Sequence, residues 1–479
     1  MSILIMILIY ITSSFGSSNW ISQIKGCEIM KYTTIFFILL LAISLSAAVT
    51  AEENGEDKIS KIMAMLEAQQ AEIAELKAQL DEATGEEEGV TMTTNTPQGA
   101  DAVGAGGSRW SPMSNKRKAR AASWAERTSV GGYGELHSNH TNGKDGSTSD
   151  TDKTDFHRLV LFVGHEFNSW SRFASEIEFE HSWAGDGREG DVVVELAWLE
   201  LDINANHHFR AGADILPVGI MNLTHEPTTF YGVERNMVEA EIIPSTWTEA
   251  GAGFWGQIAP GLNYNLFAHT GLKVATSGSS AMRVRSGRQK VANGENQDIA
   301  LLGRLTYTAV PGLELAFTVD YQNDYTGTDD AVEASAYLIE THIDYKHSSG
   351  FGLRALYARW DFGKDSSQSF DPGLWGASEV EGWYVEPAYR FDLGGGVPGE
   401  LGLFIRYEEF DERDGDSSWS HVKQTGTVIK YVKHEMFSVG ANWWPTPNVV
   451  FKIDGQFEDA PTSKNGTQTG VNLGLGFQF

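Results

Sequence analysis

In Gly470-Val-Asn-Leu-Gly-Leu-Gly-Phe-Gln-Phe479, apolar Val471, Leu473, Leu475, Phe477 and Phe479 alternate with Asn472, Gly474, Gly476 and Gln478, which are polar or small. Strict period-two alternation sets one face of a strand against something oily and the other against water or small groups. A terminal strand of about ten residues with this pattern is what a transmembrane β-barrel needs to close. Other stretches repeat it. Leu313, Leu315, Phe317, Val319 and Tyr321 oppose Glu314, Thr318, Asp320 and Gln322, and Val449, Phe451, Ile453 and Phe457 oppose Lys452, Asp454, Gln456 and Glu458. Leu401, Leu403, Ile405 and Tyr407 oppose Arg406 and Glu408 in the same way. Periodicity alone leaves the direction open, because a soluble sandwich would turn its apolar face inward. Magnitude helps: an Arg or Lys facing lipid at mid-membrane costs about 2–4 kcal/mol, so charges interleaved this often face a watery interior.

Bulk composition fits. The 479 residues could hold two or three ordinary domains or one large barrel, and 51 of them are Gly. After about residue 50 no stretch is apolar enough, for long enough, to cross a bilayer as a helix. Membrane strands explain that, since only every second residue need be apolar; a secreted all-β protein shares the feature. The formal charge of −28 argues against nucleic acid as a partner, because phosphates need a basic footprint.

The expected organisation has five parts. Residues 1–29 read as an upstream extension from a misassigned start, and they carry the one cysteine, Cys27. Residues 30–51 read as a secretory signal peptide: a basic start at Lys31, an apolar core, then small residues for cleavage. A mature chain without cysteine suits an oxidising compartment. In 57–84, Ile59, Ile62, Leu66, Gln69, Ile73, Leu76 and Leu80 recur at spacings of three and four, the a/d seam of a coiled coil. This predicts a short periplasmic stalk that trimerises, with Gln69 fixing register at some cost in stability. An amphipathic helix packed on the barrel is the blander reading. Residues 85–128 have too few large apolar side chains for a core and read as a flexible linker, with a basic cluster at Lys116, Arg117, Lys118 and Arg120.

The fifth part, 129–479, reads as an antiparallel barrel of about 16 strands. Tight connections fall at Asn168-Ser169, Ala259-Pro260-Gly261, Val310-Pro311-Gly312, His347-Ser348-Ser349-Gly350 and Trp444-Pro445-Thr446-Pro447-Asn448. Longer polar stretches alternate with them, at 141–154, 364–378, 411–423 and 460–469. Trp170, Trp198, Tyr321, Tyr345, Trp383, Trp443 and Trp444 lie near strand ends and are expected in aromatic girdles. Arg172, Arg304, Arg354, Arg390 and Arg406 are candidates for the lumen wall.

The longest connection, 216–246, follows the predicted fifth strand. Its motifs are Leu216-Pro-Val-Gly219, His225-Glu226-Pro227, Phe230-Tyr231-Gly232-Val233-Glu234-Arg235 and Ile243-Pro244-Ser245-Thr246-Trp247. With its flanking strands it resembles the phosphate-selective porin O and P family, more weakly over the rest of the barrel. The coiled coil looks like that of the DcaP-like porins, and the terminal Phe477 and Phe479 resemble the assembly signal of bacterial outer-membrane proteins. The resemblance implies that the third loop folds into the barrel and narrows the pore. Phe230, Tyr231, Ile242, Ile243 and Pro244 suit packing on the inner wall, leaving His225, Glu226, Glu234, Arg235, Glu239 and Glu241 to line the opening. A flap over the mouth, or a contact with a neighbouring subunit, is the alternative. Arg283, Arg285, Arg288 and Lys290 in the next long loop form a positive patch suited to phosphate or carboxylate. Pairing with the acidic third loop or with lipopolysaccharide phosphates is the alternative there.

The expectation is therefore an outer-membrane porin for small hydrophilic solutes, biased to anions such as phosphate. A general or cation-selective porin, or a structural barrel tethered to the cell wall, stands as the rival. Expected partners are membrane lipid, lipopolysaccharide, two further copies in a homotrimer, small anionic solutes and the barrel-assembly machinery. No enzyme is expected, since neither Gly-x-Ser-x-Gly nor His-Glu-x-x-His occurs. No cofactor is expected, and Glu239 with Glu241 is a weak signal for a metal.

Overall fold

The computed structural model describes residues 124–143, 150–188, 190–277, 280–327, 332–365, 370–375, 377–411, 433–459 and 468–479. The upstream extension, the signal peptide, the stalk seam from Ile59 to Leu80 and the linker as far as residue 123 lie outside them.

Sixteen antiparallel strands among the described residues form one closed barrel. The first half of the wall is β1 (Thr128–Gly143), β2 (Thr151–Asn168), β3 (Ser171–Glu180), β4 (Val192–Asp202), β5 (His207–Ile215), β6 (Thr248–Ala259), β7 (Leu262–Thr270) and β8 (Ile299–Tyr307). The second half is β9 (Leu313–Gln322), β10 (Ala336–Lys346), β11 (Phe351–Phe362), β12 (Glu379–Asp392), β13 (Glu400–Asp411), β14 (Lys433–Thr446), β15 (Val449–Asp459) and β16 (Gln468–Gln478). Each strand bonds to its neighbours in sequence, and β1 meets β16 with Tyr133 opposite Gln478. Phe479 completes the seam: its N–H donates to the Gly132 carbonyl at 2.9 Å, and its own backbone oxygen accepts the Gly132 N–H at 3.0 Å. A Cβ on Gly132 would press on the Val160 carbonyl, so this close approach requires glycine.

All five expected tight connections join an even strand to the next odd one, and the longer ones leave from odd strands. Short turns thus gather at one rim and long loops at the other, as in outer-membrane barrels. Burial runs opposite to that of a soluble protein. In β13, Leu403 and Ile405 are 48% and 47% exposed while Arg406 and Glu408 are 2% and 0% exposed. Charged side chains face inward, and the apolar ones form the outer belt. Trp170 and Trp383 are exposed, as a girdle demands. Two expected girdle residues are not: Trp198 is buried inside with Arg210 stacked 4.1 Å above its ring, and Trp444 is buried with Nε1 donating to the Thr228 carbonyl at 3.1 Å. Strand parity is the cause, since Trp198 and Glu200 share the inner face, as do Trp444 and Asn442.

Candidate functional site

Residues 216–247, the third long connection, run from β5 to β6 through the barrel interior. Leu216, Val218, Ile220, Val238, Ile242, Ile243 and Trp247 share one buried apolar cluster with Leu338, Leu356, Trp360, Tyr384 and Phe410 on the inner wall. Removing that surface from water holds the segment inward. Phe230 is buried too, and the Tyr231 ring lies 5.4 Å from Phe404 and 5.6 Å from Trp444.

Its backbone is held by wall side chains. Arg304 donates to the carbonyls of Pro217 and Gly219, Arg158 to His225, Arg354 to Thr229, Asn442 to Phe230 and Lys452 to Gly232, over 2.8–3.3 Å. Trp360 Nε1 donates to Ile242 O at 2.9 Å. In the other direction, Asp454 accepts the Val233 N–H and Glu408 the Met237 N–H, both at 2.6 Å. A buried carbonyl or amide left unmet costs about 1–3 kcal/mol, so these bonds decide whether the segment can stay inside. Glu239 ties the loop to itself. Its carboxylate accepts the Ile220 and Met221 N–H groups at 2.6 Å, and Asn236 Nδ2 and the Tyr384 hydroxyl at 2.9 Å.

The next long loop, 271–298, leans on the third. Leu272, Val274, Met282 and Val284 join the same apolar cluster. Arg285 donates to the carbonyls of Ala240 and Ser245 at 2.6 and 2.7 Å, and Arg288 to those of Pro244 and Thr246 at 3.2 and 2.8 Å. Arg283 pairs with Glu241 at 3.2 Å.

Between these loops and the β1–β4 wall lies a cavity of about 360 Å³. Glu234, Arg235, Arg285, Arg288 and Lys290 line it from the loops, facing Glu135, His137, His157, Arg158, Glu178, Glu180, His181 and Glu195. Five of the ten expected pore residues therefore meet in one space. Arg283 and Glu241 are engaged with each other outside its lining, while His225, Glu226 and Glu239 are buried in loop packing rather than set at an opening.

The charges in the cavity differ in how far they are neutralised. Arg158 bonds to Glu135 and, at 3.5 Å, to Glu178. Glu234 meets His137 at 3.0 Å and accepts Asn139 Nδ2 at 2.7 Å. Burial pushes the Glu234 carboxyl up, but these bonds and the nearby imidazoles outweigh it and leave it at about 2. Arg235 and Lys290 have no hydrogen bond or ion pair among the described residues. Arg288 donates to neutral carbonyls alone, and Arg285 does so apart from Glu241 at 4.0 Å. Burial, then the Arg158 charge, brings Arg235 down to about 10; burial, then Arg285 and Arg235, does the same to Arg288. Both stay cationic at neutral pH, with Glu135 and Glu195 opposing the fall at Arg235, and Glu241 and Glu180 opposing it at Arg288.

Of the strand arginines expected at the wall, Arg304, Arg354 and Arg406 are buried and face the third loop. Arg172 instead joins Glu200 and Asp202, and Arg390 stacks 4.1 Å from the Trp444 ring. Arg158, Asn442 and Glu195 went unmarked in the sequence; inward parity within a strand was the one available signal.

No family model matches the chain. A protein of Aquifex aeolicus (strain VF5) with no described function is 29% identical over 351 residues, spanning 70% of this chain and 77% of that protein. Among solved structures, Pseudomonas putida OprB superposes with a TM-score of 0.50 at 10% identity, covering 74% of this chain and 95% of that one. The outer membrane channel DcaP of Acinetobacter baumannii gives 0.49 at 12% identity, over 74% and 97% of the two chains. An anion-selective porin from Comamonas acidovorans gives 0.48 at 12%, over 74% and 99%. The closed barrel of sixteen antiparallel strands is the fold this chain has in common with OprB.

Proposed function

We propose that the chain forms a water-filled channel in the outer membrane for passive diffusion of small hydrophilic solutes, biased to anions such as phosphate or carboxylates. The apolar outer belt and charged interior support the membrane setting, because the opposite orientation would place Arg406 and Glu408 in lipid. One observation carries the bias: Arg235 and Lys290 line the cavity with no ion pair among the described residues, beside Arg285 and Arg288, whose bonds go mainly to neutral carbonyls. Uncompensated guanidinium groups in a narrow space lower the energy of a passing anion and offer its oxygens paired donors. Glu178, Glu180 and Glu195 on the facing wall favour the rival, cation-preferring reading.

Phosphate as the preferred solute rests on the resemblance of the third loop. Trimerisation through the 57–84 seam and recognition of Phe479 by the assembly machinery belong to the same proposal. Reversal potential in a planar bilayer under a salt gradient tests it, with phosphate then titrated against chloride conductance. Anion preference with block by phosphate is expected. A cation-selective potential insensitive to phosphate would move selectivity to the acidic wall, and no conductance at all would leave a structural barrel.

A further inference from the structure

Glu176 on β3, Glu195 on β4 and His225 on the third loop each offer a ligand atom, and these atoms lie within 4.8 Å of one another. We propose that they bind a divalent transition-metal ion of the zinc class, which fastens the third loop to the β3–β4 wall. The three residues are 0%, 2% and 0% exposed. His225 Nε2 stands 3.5 Å from Glu195 Oε2. That exceeds a usual direct hydrogen bond and is close to the roughly 3.3 Å between two ligands on a tetrahedral zinc.

The wall is shaped for it. The β3–β4 register shifts between Glu176, opposite Leu196, and Ile177, opposite Val194, which makes Glu195 the bulged position of β4, and Glu195 and Leu196 in succession are both buried. Such a bulge re-aims a side chain, here toward the His225 imidazole. Thr246 Oγ1 donates to Glu195 Oε1 at 2.9 Å, orienting the carboxylate with Oε2 toward His225. Arg158, which supplies positive charge nearby, turns its donors to Glu135, Glu178 and the His225 carbonyl. A buried pair of carboxylates beside an imidazole is the donor set of a zinc-class ion, whereas Ca²⁺ would call for six to eight oxygens. Glu195 also lines the cavity, which gives the ion a route in. A second grouping, Glu200, Asp202 and His208, differs because Arg172 and Arg210 already occupy its carboxylates.

The test uses the full chain in detergent, stripped with chelator and titrated with Zn²⁺ by calorimetry. One tight equivalent per chain is expected, abolished in Glu195→Gln and in His225→Gln and kept in His208→Gln. Thr246→Val, which removes an orienting bond only, should keep the stoichiometry and weaken binding roughly 10–100-fold. X-ray absorption of the zinc-loaded protein should show one imidazole nitrogen with carboxylate oxygens. Absence of tight binding in the unaltered protein would overturn the site, as would its retention in folded His225→Gln. Binding is read without ion flow, so the result is independent of the channel reading.

Discussion

Arg158 and Arg235 border the same cavity, yet among the described residues one is held by two carboxylates and the other by none. That difference sets what each can do: a neutralised guanidinium positions, and a bare one attracts. Arg235→Gln should therefore shift the reversal potential toward cations with little change in conductance size, and an unaltered potential would remove Arg235 from the selectivity argument. Glu239 gives the opposite case, since all four of its donors belong to the loop and the wall. Glu239→Gln keeps two acceptor sites but loses the charge, so the loop should loosen by about 1–3 kcal/mol, seen as excess open-channel noise. The sequence marked both residues as pore-lining because it shows charge and order along the chain. It does not show that a carboxylate 19 residues from Ile220 folds back onto that residue's amide.

The third loop was legible as an element: its place after the fifth strand and its apolar content both followed from the residues alone. Its anchors were not. Lys452 reaches Gly232 across 220 positions, and a contact to a carbonyl leaves no trace in periodicity. The Glu195 bulge escaped for a related reason, because Val192-Val193-Val194-Glu195 reads as strand whatever its register. Acid provides a test of the loop's attachment. The Glu234 carboxyl is held below its unfolded value of about 4.3, so its contribution is full above that pH and fades only as the medium approaches about 2. Channel noise should stay flat from neutral pH to about 4.5 on this account. Glu234→Gln should be noisy throughout that range. Adjacent wall positions make a second test: Ile405→Arg puts a charge in the lipid belt and should cost about 2–4 kcal/mol on refolding titration. Arg406→Ala, one residue away, should cost about 3–5 kcal/mol for a different reason, leaving Glu386 and Glu408 buried without their cation.

For the whole molecule, closure depends on a short seam. The strand count and the alternation of tight and long connections could be read before any coordinates, because Pro and Gly mark turns directly. The two inward tryptophans could not, since an aromatic near a strand end fits a girdle or a lumen equally well. Removing Phe479 deletes two backbone bonds to Gly132 at the point where first and last strands meet. Insertion into the outer membrane should fall sharply, and a normal yield of folded barrel would discount the terminal residue. The proposed trimeric stalk has its own test: deleting 58–83 should leave the barrel folded and make the oligomer dissociate in mild detergent, and an oligomer of unchanged resistance would retire the stalk.

The way the wall holds the third loop bears on how such a barrel can change. Most of its grips close on peptide groups, which are the same whatever residue carries them. A loop side chain that points into the cavity and bonds to no described wall residue, as Arg235 does, can then be exchanged without loosening the hold. Position and chemistry are inherited separately: the wall keeps the narrowing in place, and a few substitutions along one segment are enough to give it a new preference.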